Sequence, residues 1–178
     1  MKANEVPRAH SAPIQDPVPT SEQRTFPPVS DASCQTALDV LNAETASAVV
    51  FQIFNWKGDI WGGGSTLASY EDAKAQMAFR QLQDALKTCK SYTGVGWTGK
   101  FSAKITLDTA PDVGDEALSF HLSSQLPEGR GLRDEHHVFV RVGDTTASFE
   151  KLNVGKKARF PLALLKKQVD RLSSAQHR

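Results

Sequence analysis

A change of hydrophobic period at Cys89 constrains the fold more than any other feature of the sequence. Residues 68–89 place apolar side chains three or four positions apart, which is the spacing of an amphipathic helix. Between Cys89 and residue 152, apolar and polar side chains mostly alternate, as in strands with one buried face. A long helix followed by antiparallel strands is therefore predicted. Ser69 and Asp72 have the spacing of a capping box at the start of that helix.

The remaining elements follow from similar patterns. Residues 31–41 predict a short helix capped by Asp31 or Ser33, and the β-branched and aromatic run at 46–54 predicts a central strand. Four strands are predicted after Cys89, at 97–109, 117–125, 137–142 and 145–152, and a helix at 159–174. The predicted fold class is α+β: a mainly antiparallel, twisted β-sheet with the two longer helices packed on one face and a short N-terminal helix.

Composition divides the chain into a tail and one domain. Residues 1–30 carry six of the nine prolines and few large apolar side chains, which predicts a disordered, proline-rich tether. The other interpretation is a remnant of expression without a role. Residues 31–174 form one predicted domain of ordinary size, and residues 175–178 a short disordered tail.

Charge and hydropathy argue against a nucleic-acid-binding surface and against a membrane-spanning segment. The net charge is +1, with positive and negative residues mixed along the chain, so no nucleic-acid partner is expected. No apolar run approaches the roughly 18 residues that span a bilayer, and the N-terminus lacks the order of a signal peptide. These features alone predict a soluble cytoplasmic protein, unless Met1 begins a fragment of a protein whose signal or anchor lies upstream.

Two cysteines, Cys34 and Cys89, leave the redox state open. They can form a single intramolecular disulfide, which would close a loop of about 55 residues, or remain two buried thiols. A structural zinc site is not expected, because two cysteines without a nearby histidine supply too few ligands. The glycine run at 62–64 lacks the Walker and GxGxxG patterns, so it is predicted to be a flexible turn and not an anion-binding loop.

The densest polar cluster surrounds two adjacent histidines, His136 and His137. Adjacent residues on a strand point to opposite faces, so the two cannot serve one metal ion, and His121 is expected on the solvent side of its own strand. HExxH and GxSxG are absent, and nothing selects a pair of carboxylates. No catalytic residue, metal or cofactor is therefore predicted. The alternative is a metal-dependent or serine hydrolase that uses His121, His136 or His137.

Candidate ligand-binding residues are aromatic or basic. Trp56, Trp61 and Trp97 either line a cleft or form the rim of the core, since amphipathic aromatic side chains suit both places. Arg130 and Arg133 lie in the glycine-rich loop at 128–134, which has the length of a binding loop. These five residues are the predicted ligand-binding set.

The stretches GGGSTLASYEDAKAQMAFRQLQDALKTC, HVFVRVGDTTASFE and FPLALLKKQVDRL together resemble the PknH-like extracellular sensor domain. That family occurs in actinobacteria, on receptor kinases and on lipoproteins, and the resemblance covers residues 31–174. It implies an extracytoplasmic location, a disulfide between Cys34 and Cys89, and a sheet with helices and a cleft for a ligand. It implies no catalytic residue, and a second disulfide of kinase-linked members has no cysteines here.

With this resemblance, the predicted function is a non-enzymatic, extracytoplasmic sensor or regulatory domain of a cell-envelope lipoprotein. Its expected partner is an unknown small ligand or the extracellular domain of a signalling protein. Contact with the membrane is expected only through a lipid anchor upstream of Met1, with the proline-rich segment as a spacer.

Overall fold

A computed structural model describes residues 1–15, 24–96 and 99–176 of the chain. In this part of the chain nine strands form one sheet: β1 (Ala9–Ser11), β2 (Ile14–Gln15), β3 (Ala48–Trp56), β4 (Gly63–Ser69), β5 (Ser91–Gly96), β6 (Gly99–Asp108), β7 (Glu116–Gln125), β8 (Leu132–Val142) and β9 (Thr145–Val154). The α-helices of the same residues are α1 (Ala32–Leu41), α2 (Lys74–Thr88) and α3 (Leu162–Gln176).

The strands are antiparallel in every pairing of the described residues and follow the order β1-β3-β4-β9-β8-β7-β6-β5, with β2 beside β3. The predicted α+β class with a mainly antiparallel sheet is confirmed. The apolar sequence of β3 predicted a central strand. The structure differs, because on the side away from β4 this strand pairs only with the short β1 and β2. A strand that was not predicted, β5, follows Cys89 directly and extends the sheet beyond β6.

Both faces of the sheet are covered. Phe139 of β8 packs with α1 and α2, whereas its neighbours Val138 and Val140 pack with α3. Because successive side chains of a strand point to opposite faces, α2 and α3 lie on opposite sides of the sheet, which we call the α2 face and the α3 face. The prediction that both longer helices pack on one face is therefore wrong. Residues 136–140 of β8 are buried at every position, as in strands that are covered on both sides.

Helix α2 has the predicted stripe but a later start. Its buried residues are Ala75, Ala78, Phe79, Leu82, Ala85 and Leu86. The predicted capping box is not formed: Ser69 still pairs with Thr145 in the sheet, and the helix begins after Ala73, whose φ is +59°. Pairing of β4 with β9 holds the chain extended through Ser69, so the sheet and not the local cap signal decides where the helix can begin.

The glycine run was predicted to form a flexible turn, but Gly63 and Gly64 lie within strand β4. A Cβ added to Gly63 would lie 2.5 Å from the carbonyl oxygen of Glu150 and 2.9 Å from the ring of Trp56. Close packing of the Trp56 ring over β4 explains the missing side chain at this position.

The composition predicted that the first thirty residues are disordered, but some of the described residues in this segment contact the sheet. β1 and β2 pair with β3, and the Met1 ammonium donates to Gln52 Oε1 at 2.7 Å. Arg24 is buried and donates to the carbonyl oxygens of Ala43 and Ala46, at 2.9 and 2.7 Å. Residues 16–23 lie outside the described part, and the role as a tether stays a prediction. At the other end, α3 continues to Gln176, two residues into the predicted tail.

A disulfide joins Cys34 in the first turn of α1 to Cys89 at the end of α2, with Cα atoms 4.9 Å apart and both residues fully buried. Asp31 caps α1 as predicted, accepting a 2.9 Å hydrogen bond from the Cys34 N–H. The disulfide closes a 55-residue separation that contains β3, β4 and α2. It therefore restrains the unfolded chain strongly.

Replacing both cysteines, Cys34→Ala with Cys89→Ala, is expected to lower the free energy of unfolding by about 4 kcal/mol, because a loop of this length loses that much closure entropy in the chain-entropy model. Denaturant unfolding followed by circular dichroism measures the difference from the oxidised wild type. Reductant should destabilise the wild type and leave the double variant unchanged. Equal stability of the two oxidised proteins would contradict this role.

Candidate functional site

The structure brings two of the five predicted ligand-binding residues together. Trp56 ends β3 and Trp61 precedes β4, and both line one groove of about 800 Å³, which we call the tryptophan groove. Arg133 lines a different cavity with Glu135 and Glu150. Arg130 lies in the turn before β8, where its Nε donates to the Pro127 carbonyl oxygen at 3.2 Å. Trp97 is outside the described residues.

Lys151 of β9 forms the floor of the tryptophan groove. Its ammonium donates to the carbonyl oxygens of Trp61 and Leu152 and pairs with the Asp59 carboxylate at 3.0 Å. It also lies 5.2 Å from the centre of the Trp56 ring, within the range of a cation–π contact. Burial acts to raise the pKa of Asp59, but hydrogen bonds from Lys151 and the Trp61 N–H lower that pKa overall. This ion pair between buried Lys151 and half-buried Asp59 thus fixes the 57–61 turn against the sheet.

The walls of the groove combine aromatic, apolar and basic side chains. Trp56 is both a core residue and a groove wall, because its ring packs against Phe160 at 6.3 Å between ring centres. Ile60 is 86 % exposed at the rim. The basic side chains that line the groove are Arg8, Lys57, Lys151 and Lys156. Such a surface suits a ligand with a flat or apolar part and an anionic group.

A network of polar side chains is buried on the α3 face, and we call it the histidine network. Its members are Asp108, Ser119, His121, Asp134 and His136. His121 has a carboxylate at each ring nitrogen: Asp134 lies 2.8 Å from Nδ1 and Asp108 lies 3.3 Å from Nε2. The backbone N–H groups of Ala158 and Phe160 donate to Asp134 and to His136. The network therefore holds the segment before α3 against the sheet.

The hydrogen bonds of His136 determine its tautomer. Its Nδ1 accepts from the Phe160 N–H at 2.9 Å, so in the neutral ring the proton is on Nε2, which donates to Ser119 Oγ at 3.0 Å. Burial, followed by the nearby His121 and His137, lowers the pKa of His136 to about 4. A ring that donates to the serine cannot take the serine's proton. Ser119 and His136 thus lack the arrangement that a serine hydrolase needs.

His121 was predicted to face solvent, but it is only 2 % exposed. Residues 156–160 cover this end of the α3 face, and the alternating pattern of β7 carries no signal for a segment that comes so much later in the chain. The opposite orientation of the two adjacent histidines is confirmed: His136 stacks on His121 on the α3 face, and His137 stacks on Phe120 on the α2 face.

Two groups of side chains in the described residues have the composition of a metal site, apart from the cysteines of the disulfide. In the first, Asp108, His121 and His136, every ring nitrogen already has a hydrogen-bond partner. The second consists of Glu135, His137 and Glu150. Counting outward from the two-residue turn between β8 and β9 pairs His137 with Glu150. This group could therefore have been found from the sequence, although it was not predicted.

Comparisons with known proteins support the fold. The chain is similar in structure to the extracellular domain of PknH from Mycobacterium tuberculosis, with a TM-score of 0.58 and 14 % sequence identity, over 80 % of this chain and 75 % of that one. No protein-family model matches the chain, and neither does any curated protein. At this identity the likeness concerns the fold alone. No helix of the described residues has both the length and the apolarity to cross a membrane.

The neutral Nε2–H tautomer of His136 predicts a distinct signature in long-range ¹H–¹⁵N NMR spectra. Its ring should stay neutral as the pH falls from 7 to near 4, whereas a histidine in the unfolded chain gains its proton near 6.5. Between these values the unfolded chain binds a proton that the folded chain does not, so stability falls as the pH falls. An Nδ1–H tautomer or protonation near pH 6.5 would contradict the assignment.

Proposed function

We propose that the chain is a sensor or regulatory domain of an extracytoplasmic cell-envelope protein and that it acts by binding, without catalysis. The observation that carries the proposal is the tryptophan groove, which is large enough for a small ligand and is built on a fold similar to an extracellular domain. The histidine network supports the non-enzymatic role, because its polar groups serve to hold the segment before α3.

The chemistry of the groove suggests the class of ligand. Trp56 and Trp61 offer flat apolar surfaces, and Arg8, Lys57 and Lys156 add positive charge at the rim. Lys151 is held by Asp59 and by backbone carbonyl oxygens, so it shapes the floor and leaves contact with the ligand to the outer residues. An envelope fragment that carries a sugar or acyl part beside an anionic group fits this surface.

The compartment and the partner are further parts of the proposal. The buried disulfide is typical of proteins from oxidising compartments, and the similar fold is that of an extracellular domain. We place the domain on a lipoprotein, held by a lipid anchor upstream of Met1, with the proline-rich segment as a spacer. Its partner is then a small envelope ligand or the extracellular domain of a signalling protein.

Trp61→Ala is expected to weaken ligand binding at least about fivefold, because stacking on an aromatic ring contributes on the order of 1 kcal/mol or more. Thermal shift with anionic envelope glycans and lipids identifies ligands, and quenching of tryptophan fluorescence measures their affinity. Met77→Ala is the matched control, since Met77 is an exposed large side chain on α2, on the other face of the sheet. Binding that is equal in Trp61→Ala and wild type would exclude the groove.

In cells of a host that carries the full gene, the protein is expected in the envelope fraction with both cysteines oxidised. Alkylation of unfolded protein before and after reduction, followed by mass measurement, counts the free thiols. The double cysteine variant controls for labelling of other groups. Two free thiols in protein from the envelope, or recovery only from the cytoplasm, would contradict the assignment of the compartment.

A further inference from the structure

We propose that Glu135, His137 and Glu150 form a binding site for one divalent transition-metal ion, best matched by Zn²⁺. The site is on the α2 face and is separate from the tryptophan groove. It departs from the expectation, drawn from the sequence, that the chain has no metal site.

The register of the β8–β9 hairpin brings the three side chains together. His137 and Glu150 are direct cross-strand partners, and Glu135 precedes His137 by two residues, so all three point to the same face. One ligand atom from each residue lies within 4.8 Å of the others. Tetrahedral zinc ligands are about 3.4 Å apart, so the most distant pair must approach by up to about 1.4 Å. Glu150 is exposed, so its side chain has room to move toward the other two ligands.

His137 presents one ring nitrogen, Nε2, to the carboxylate of Glu135. The residue is 5 % exposed, and its Nδ1 is buried without a hydrogen-bond partner among the described residues. Its Nε2 lies 3.4 Å from Glu135 Oε2. Either neutral tautomer leaves one buried polar atom unsatisfied, a situation that proteins generally avoid. With the proton on Nδ1, the lone pair of Nε2 faces Glu135, and a metal ion between them would bind this lone pair and offset the repulsion between the two carboxylates.

Neighbouring residues orient the ligands. Arg133 pairs with Glu135 Oε1 at 2.6 Å, which turns Oε2 toward His137. The ring of Phe120 stacks on His137 with 5.3 Å between ring centres and fixes the plane of the imidazole. Gly64 lies directly opposite Glu150, and a Cβ there would approach Glu150 Oε1 to 3.2 Å. Each of these neighbours constrains a ligand from outside, as in established metal sites.

The site is accessible and has room for a further ligand. The three residues line a cavity of about 220 Å³ beneath α1, whose walls include Phe26, Leu38 and Phe51. Glu135 and Glu150 also line a second cavity of about 280 Å³ on the side of Arg133. Three protein ligands leave a coordination position open, which a water molecule or a small anion can fill.

The donor set favours a transition metal over calcium or magnesium. Imidazole nitrogen combined with carboxylate oxygen suits Zn²⁺ and its neighbours in the first row, whereas Ca²⁺ and Mg²⁺ prefer sites made of oxygen alone. The other histidine-containing group, in the histidine network, has no ring nitrogen to spare. The described residues therefore favour the His137 site as the one place for such an ion.

Isothermal titration of chelator-treated protein without a histidine tag, using ZnCl₂, tests the proposal. We expect saturable binding of one equivalent, and a weakening of at least about tenfold in Glu150→Gln, which removes one ligand charge while keeping the side-chain shape. His137→Gln should weaken binding as well, after circular dichroism has confirmed that it folds. Absorption of bound Co²⁺ in the visible range should show mixed nitrogen and oxygen ligation.

Two control variants distinguish zinc bound at this site from zinc attracted by surface charge or by the tryptophan groove. Glu71→Gln makes the same change of charge at an exposed position outside the site and should leave zinc binding unchanged. Trp61→Ala should also leave it unchanged, so failure of the metal site and failure of the proposed groove are distinguishable. Absence of zinc binding, wild-type affinity in Glu150→Gln, or zinc-induced NMR shifts at His121 instead of His137 would each overturn the proposal.

Discussion

Burial of the β8–β9 hairpin on both faces is the constraint on which the rest of the structure depends. Phe139 of this hairpin enters the α2 face and Phe149 enters the α3 face, so each long helix covers one side of the same two strands. Burial of apolar surface is the main favourable term in folding, at about 25 cal/mol per Å². The two helices share this hairpin as their common support, and the disulfide keeps α1 beside α2 on one of the two sides.

A hairpin that is largely buried on both faces must satisfy the polar side chains that it buries. On the α3 face, His136 has hydrogen bonds at both ring nitrogens, and Asp134 receives the Ala158 N–H. On the α2 face, His137 keeps a ring nitrogen without a partner in the described residues. Adjacent positions of one strand therefore differ: His136 has a hydrogen-bond partner at both ring nitrogens, whereas among the described residues His137 has a partner only at Nε2.

The features that were predictable from the sequence depend on local signals. The stripe of α2, the Asp31 cap and the tight turn after Val142 each need only a few neighbouring residues, and the structure has all three. The late start of α2, the covering of His121 and the placement of α3 depend on partners far along the chain. Of the candidate binding residues, Trp56 and Trp61 flank one short turn and so meet, whereas Arg133 lies across the sheet.

The two glycines that were predicted to form a flexible turn connect the two proposed sites. Gly63 and Gly64 are committed to the sheet ladder, so their N–H groups are not available to bind an anion. Their contribution is the missing side chain: Gly63 admits the Trp56 ring on the groove side, and Gly64 leaves room for the Glu150 carboxylate on the other. Consecutive residues of one strand thus open space on opposite faces. This is how a single narrow strand can support an aromatic groove and a carboxylate ligand without contact between them.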